Sequence, residues 1–336
     1  MVDNLTLVSI VIPCRNEEKF ISKCLDSLIK QDWPKDKLEI LVIDGMSEDG
    51  TGEIIENYSQ KYQFIKLLKN PQKYTPFGLN IGVKAAQGVI IIRMDSHAGY
   101  EKDYISKCVR YLQEYNADNV GGVIKTIPAN NTLIAKSIAY CLSSFFGAGG
   151  SYFRTGSKKP RWVDTVFGGC YKRDIFDKVG LFNEKLRRSQ DLEFNLRLKR
   201  AGGKILLAPD IVAYYYPQST LEGFLKHNFE DGIWAIYPLK FIKIPFRLRH
   251  YVPLIFVLSL LGTGLLGIFF PIFFRLFLLI IGLYFLANIY FSLRIAEKKK
   301  NFRYFFSMPI VFIIRHITYG LGSIWGILTP KKLKND

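Results

Sequence analysis

The chain has 336 residues, with 46 lysines and arginines against 29 aspartates and glutamates, a formal net charge of +17. That length admits one large domain of roughly 230 residues and a smaller segment. The positive balance does not mark a nucleic-acid binder, because no helix-turn-helix, zinc-finger or aromatic-basic RNA-binding pattern accompanies it.

The 5 cysteines (Cys14, Cys24, Cys108, Cys141, Cys170) are odd in number, widely spaced and without a Cys-x-x-Cys pair, which points to reduced thiols. The N-terminal apolar run is strand-length and flanked by charges, so no cleavable signal peptide is expected. In chain order, LVSIVI at 7–12 reads as a buried strand and PCRNEE at 13–18 as the turn after it. Phe20, Ile21, Cys24, Leu25, Leu28 and Ile29 then recur at helical spacing. LEILVI at 38–43 is a second apolar run bounded by turn residues, and it delivers Asp44 at the head of DGMSEDGT. A third run, GVIIIRM at 88–94, ends directly in Asp95-Ser96-His97. Strand, helix, strand, helix, strand predicts a parallel sheet with right-handed crossovers. Its strand ends open on one crevice, where α/β sheets place ligands. On a strand, Asp95 and His97 leave from the same face and converge on one cation. A carboxylate beside an imidazole suits manganese better than magnesium, which prefers oxygen ligands. Asp and His also serve in turns and caps, so Asp-x-His alone does not decide. Arg93 shares the parity of Asp95, either to orient it or as a plain buried ion pair.

The composition changes at Tyr251. Residues 252–274 are uncharged and apolar, long enough to cross a hydrocarbon core of roughly 30 Å at about 1.5 Å per residue. Residues 276–293 form a second uncharged stretch after Arg275, and the basic segment 294–303 is expected to stay cytoplasmic. A third apolar stretch, 304–328, contains Arg315-His316 and leads to a basic tail at 330–334. Its length argues for a span, while the ionisable pair argues for a re-entrant or interfacial helix. Residues 221–250 mix aromatics with cations, among them Lys240, Lys243, Arg247 and Arg249. They read as amphipathic segments on anionic headgroups of the inner leaflet, or else as a solvated linker. These readings predict a multi-pass protein of the cell membrane with a cytoplasmic N-terminal domain.

Seven words stand in order along the chain: VSIVIPCRNEE, EILVIDGMSEDGT, GLNIGVKAAQG, IIRMDSHA, FGAGGSYFR, VDTVFGGCYKRDIFDKVGLFNEKL and RRSQDLEFNLRLKRAGGKI. By these words the chain resembles the family 2 glycosyltransferases of GT-A fold, in the membrane-bound branch that holds succinoglycan-type exopolysaccharide enzymes. The resemblance implies a Rossmann-like α/β catalytic domain over 1–220, with a mostly parallel sheet flanked by helices. A membrane-interface segment over 221–250 and a membrane domain over 251–336 follow. It implies inverting transfer of one sugar from a nucleotide-sugar donor, UDP-linked, to a hydroxyl of a lipid-linked saccharide acceptor, in exopolysaccharide, capsule or cell-surface glycan synthesis. It places Pro13, Arg15 and Glu17 in the loop framing the base, and Asp44 on the ribose or base edge. Asp95 falls near the ribose or phosphate and, with His97, on a divalent cation. Gly168 and Gly169 fall beside the donor sugar.

The cation acts as Lewis acid on the departing nucleoside diphosphate. Inversion also needs a base for the acceptor hydroxyl, and the resemblance assigns Asp191. Asp191 opens a helix pattern over 191–200 with Leu192, Leu196 and Leu198 facing inward; a capping aspartate is the local alternative. Glu17 likewise suits a helix start for local reasons. The glycine-rich basic stretch 143–159 is either a loop closing over a pyrophosphate or a flexible surface loop. Two departures refine the expectation: His97 stands where many members carry a second Asp, and HNFEDGIW occupies 227–234 where processive synthases carry Gln-x-x-Arg-Trp. Single-sugar transfer is therefore expected rather than a channel-forming synthase. The alternatives are a polyprenyl-phosphate glycosyltransferase, whose ionised acceptor needs no base, and a non-catalytic membrane scaffold of the same fold.

Overall fold

The computed structural model describes residues 6–241 and 247–330. The chain begins β1 (Val8–Cys14), α1 (Ile21–Ile29), β2 (Leu38–Asp44), α2 (Thr51–Lys61), β3 (Ile65–Lys69), α3 (Thr75–Ala85), β4 (Ile90–Arg93). It continues through β5 (Ala98–Tyr100), α4 (Tyr104–Glu114), β6 (Asn119–Thr126), α5 (Leu133–Ser143), α6 (Phe145–Ala148) and α7 (Tyr152–Thr155). Then come β7 (Arg161–Trp162), β8 (Phe167–Lys172), α8 (Asp174–Val179), α9 (Gln190–Arg200) and β9 (Ile205–Tyr215). The last helices are α10 (Leu221–Ile236), α11 (Val252–Gly267), α12 (Pro271–Lys298) and α13 (Arg303–Leu328).

Two compact units result, Met1–Lys125 with Thr155–Tyr215, and Thr126–Arg154 with Tyr216–Asp336. The first is an α/β unit whose sheet runs β3-β2-β1-β4-β8-β6-β9-β5, with β7 on β9. β1 pairs parallel with β2 and β4, as the alternating pattern predicts, and β2 pairs parallel with β3, a strand whose mixed IKLLK gave no apolar run to mark it. β2 is buried along its whole length, as a parallel strand covered by helices must be. α1 buries Ile21, Cys24, Leu25 and Leu28 of the expected stripe, while Phe20 and Ile29 at its two ends are half-buried. Beyond β4 the pairings turn antiparallel, β4 with β8 and β8 with β6, which places the start of β8 beside the end of β4. All five cysteines are buried and free.

β4 stops at Arg93, and Asp95 and His97 lie in the turn before β5. Strand parity therefore does not aim them. The Tyr100 hydroxyl fixes the turn instead, accepting the Asp95 N–H at 2.7 Å and donating to the Asp95 carbonyl at 3.3 Å.

The expected continuous domain over 1–220 is interrupted, because residues 126–154 join the C-terminal helices. Their apolar faces find a partner there: Ser137 and Ser307 hydroxyls meet at 2.7 Å, the Tyr140 and Tyr304 rings at 5.1 Å, and Phe146 and Phe312 at 4.9 Å. The glycine-rich stretch 143–159 is thus not an open loop through its first half. α6 is pinned to α13, where Arg315 donates to the Gly147 carbonyl at 3.2 Å and His316 holds the Phe146 carbonyl at 2.9 Å. Arg315 also reaches Asn228 and lies 3.4 Å from Asp231. The ionisable pair that made 304–328 ambiguous is satisfied inside this unit.

The apolar run 252–274 is not one span. α11 ends after 16 residues, roughly 24 Å at about 1.5 Å per residue, and α12 begins at Pro271, taking in Arg275. Proline at a first helical position, where no N–H is needed, sets that boundary. α12 also absorbs residues 294–298 of the expected basic loop. α12 and α13 are the two helices among the described residues long and apolar enough to cross a membrane; 6% of the most apolar window of α12 is buried against 44% of that of α13. α13 is thus the core of the helical unit, and α12 turns its apolar surface outward. α10, expected to lie on a leaflet, packs along α13. A Cβ on Gly232 would stand 2.0 Å from the Tyr319 carbonyl, and one on Gly322 2.0 Å from that of Phe229. Lys243 and tail positions 331–334 lie outside the described residues.

Candidate active site

The site residues gather at the carboxyl ends of β1, β2 and β4, at the start of β8, and in the first turn of α9. Register places Cys14 opposite Asp44 and Val11 opposite Arg93. Arg93, 8% exposed, is the centre. Its Nη2 lies 2.6 Å from Asp95 Oδ1 and its Nη1 3.3 Å from Asp191 Oδ2. Arg93 Nε and Asp191 Oδ1 are enclosed without a hydrogen-bond partner. Burial works against the Arg93 charge, but Asp191 and then Asp95 outweigh it and hold the guanidinium above its usual range. Burial pushes the Asp191 carboxyl above the ordinary carboxylate range; Arg93 opposes that shift and Asp95 adds to it.

α9 aims Asp191 inward. The buried positions Phe194, Asn195 and Leu198 follow Asp191 at three, four and seven residues, one stripe of a helix. Leu192 and Leu196, expected inward, are only half-buried, and Leu198 alone of the three leucines is buried. Asn195 locks the stripe, accepting from Asn119 at 2.9 Å and donating to Thr165 at 3.1 Å. Ser189 enters the helix at φ 62°, a left-handed conformation that turns the chain into the site.

The first two loops are laced together. The N–H groups of Asn16 and Glu17 donate to Ser47 at 2.9 Å and Thr51 at 2.7 Å, and Glu48 N–H returns to the Asn16 side chain at 2.9 Å. Asp44, buried, accepts the Ser47 N–H at 3.2 Å and hydroxyl at 2.5 Å, so its carboxylate closes the turn after β2. Arg15 reaches outward to the exposed Glu48 at 3.3 Å. Pro13 is half-buried on β1, opposite Ile43. Glu17 turns to His97, with Oε1 3.0 Å from Nδ1. Enclosure lowers the affinity of His97 for a proton, but the Glu17 bond and the Asp95 charge prevail and raise it. Burial first, then Asp44, Glu17 and Asp49, push the Cys14 thiol far up, which registers how closely these acids surround the tip of β1.

Gly168 and Gly169 open β8 at φ 68° and 135°. A Cβ at Gly168 would stand 2.8 Å from the Arg93 carbonyl, and one at Gly169 2.5 Å from the Tyr171 hydroxyl. Both glycines are thus required by the packing around Arg93 and Tyr171, whatever else approaches them.

Among the described residues no three His, Cys, Asp or Glu side chains form a metal cage. Asp95 and the Nε2 of His97 are the available donors. A His whose other nitrogen is held by a carboxylate is oriented as metal ligands are. A cation held by this pair would have to take its remaining ligands from a bound phosphate and water.

The fold therefore joins Asp95 with Asp191 through Arg93, and His97 with Glu17, while Asp44 and Pro13 lie on the adjoining strand ends and Arg15 points outward. The Arg93–Asp191 and Glu17–His97 contacts were not visible in the sequence, which carries no local signal for pairs so far apart.

Residues 9–180 match the family model described as Glycosyl transferase family 2. The chain is 30% identical over 332 residues, 96% of its length and 98% of the relative's, to the dolichyl N-acetyl-alpha-D-glucosaminyl phosphate 3-beta-D-2,3-diacetamido-2,3-dideoxy-beta-D-glucuronosyltransferase of Methanococcus voltae. It is 28% identical over 263 residues, 73% of its length and 78% of the relative's, to succinoglycan biosynthesis protein ExoA of Rhizobium meliloti (strain 1021). Its fold is similar to that of mannosyltransferase PcManGT from Pyrobaculum calidifontis, solved in complex with GDP-Man and Mn2+. The TM-score is 0.59 at 16% identity, over 95% of this chain and 87% of that one.

Proposed function

This chain belongs to glycosyl transferase family 2, and on that premise we propose that it transfers one sugar, with inversion, from a nucleoside-diphosphate sugar to a hydroxyl of a lipid-linked saccharide. The observation that carries the reading is the guanidinium of Arg93, which draws Asp95 and Asp191 into one enclosed site and leaves Asp191 Oδ1 without a partner. A lipid-linked acceptor is supported by the Methanococcus voltae relative, named for action on dolichyl N-acetylglucosaminyl phosphate.

Asp191 is the base in this reading. Its Oδ2 stays with Arg93, and Oδ1 accepts the proton of the acceptor hydroxyl as that oxygen attacks the anomeric carbon. Asp95 and the Nε2 of His97 would hold a divalent cation, which would supply positive charge to the departing diphosphate. The mixed oxygen and nitrogen donors favour manganese over magnesium. Glu17 orients His97, Asp44 and Pro13 lie on the nucleotide side of the cleft, and Arg15 stands at its outer rim. Gly168 and Gly169 form the wall beside the donor sugar. The outward apolar surface of α12 anchors the protein in the cell membrane, and the basic residues between α12 and α13 hold that end on the cytoplasmic side.

The test is a panel of radiolabelled uridine-, guanosine- and thymidine-diphosphate sugars, with membrane lipids as acceptors and Mn2+ present, run on wild type, D95N and D191N. Transfer by wild type that collapses in both variants is the expected result. Near-normal transfer by D191N identifies an acceptor already ionised, a polyprenyl phosphate. No transfer from any donor, with no rise in melting temperature on adding Mn2+ and the three diphosphates, identifies a scaffold.

A further inference from the structure

We infer that Arg93 is a positioning residue that couples the donor end of the site to its base, sharing one guanidinium between Asp95 and Asp191 so that events at Asp95 are felt at Asp191. The inference rests on the roles proposed above for Asp95 and Asp191 and adds the connection between them.

Three observations carry it. Arg93 is the last residue of β4, its backbone fixed by pairing opposite Val11, so only its side chain has freedom to respond. The guanidinium is held unequally, 2.6 Å from Asp95 and 3.3 Å from Asp191. Its Nε has no partner, so the two carboxylates are what hold the head group in place. One positive charge thus serves two negative ones in an enclosed site, where charges are weakly screened.

Such an arrangement is a balance. When Asp95 is engaged by a cation it releases part of its hold, and the guanidinium is drawn toward Asp191. Oδ2 of Asp191 is then gripped more firmly and Oδ1 is presented to the acceptor. Asp191 is faced by Arg93 and Asp95 from the end of β4 and by the Tyr171 hydroxyl from β8, itself pushed up by burial and by Asp191. Arg93 is the cation in that group. A lysine at 93 keeps the charge but loses the two-pronged geometry, since an ammonium is a point charge and a guanidinium a planar fork.

The test is a double-mutant cycle on the full chain in detergent micelles, with Mn2+ titrated by calorimetry in the presence of UDP and, separately, of GDP. The proteins are wild type, D191N, R93M and R93M/D191N, with the equally uncharged R93Q and R93Q/D191N replacing the last two if these do not fold. Removing Asp191 leaves Arg93 to Asp95 alone, so D191N is expected to weaken Mn2+ binding about 3- to 10-fold where Arg93 is present, a coupling usual within one charge network. In the R93M background the same substitution is expected to change it less than about 2-fold. Equal effects in both backgrounds overturn the coupling while leaving the cation site intact. A wild type that binds Mn2+ with neither nucleotide overturns the cation site itself, and the inference with it. In turnover, R93K with an unchanged melting temperature is expected to lose about 10-fold in kcat with little change in donor KM, as a misplaced base does. R93K with both wild-type stability and wild-type kcat shows a merely structural ion pair and overturns the inference.

Discussion

Glu17 Oε1 and His97 Nδ1 stand 3.0 Å apart across 80 positions of chain. The contact decides what His97 can do. With Nδ1 committed to a carboxylate, the ring is held in one orientation, and in the proposed reading Nε2 is the nitrogen that would bind a cation. The first loop, laced to the second through Ser47 and Thr51, thereby becomes a support for the Asp95–His97 turn.

Glu17→Gln should accordingly weaken Mn2+ binding by about 10- to 100-fold, the usual cost of losing an outer partner of a ligating histidine. Calorimetric titration of Mn2+ in the presence of UDP checks this, and an unchanged affinity removes Glu17 from the cation site.

The pH profile carries a second expectation. Burial holds the Asp191 carboxyl above the ordinary carboxylate range, so it is still protonated at pH values where a surface aspartate is ionised. A base works when deprotonated, so kcat should rise with pH through a midpoint above about 4, the value of an unperturbed aspartate. Asp191→Asn should lower kcat by about 10²- to 10⁴-fold and abolish that limb. A limb that persists in the variant assigns the titration to another group.

The α10–α13 contact is tested by size. Gly322→Ala places a methyl group where a carbonyl stands 2.0 Å away, while Gly282, on the outward helix α12, has nothing within 4 Å. The first substitution should destabilise the helical unit by about 1–3 kcal/mol. Gly282→Ala should leave the melting temperature in detergent at or slightly above wild type.

Arg315→Met should leave the buried Asn228 side-chain oxygen and the Gly147 carbonyl short of a donor, at about 1–3 kcal/mol per enclosed group. Melting temperatures of wild type and variant in detergent measure the loss.

Much of this was written locally. Apolar runs of strand length leading to Asp44 and Asp95, and a helical stripe from Ile21 to Leu28, depend on neighbours a few residues away, so periodicity alone was enough to find β1, β2 and β4 and the acids beyond their ends, while the half-exposed β3 was missed. Ordered words extended that reading to the family and to Asp191. Reading by period failed where the chain departs from its element: β4 ends at Arg93, so a hydroxyl from Tyr100, and no strand parity, aims Asp95. Hydropathy found the apolar C-terminal third but misplaced its breaks, since Pro271 rather than Arg275 starts α12. Nothing local joins Arg93 to Asp191, Glu17 to His97, or α5 and α6 to α13. Those contacts exist because distant segments must bury apolar faces and pair enclosed charges at once, a condition that only the folded chain can satisfy.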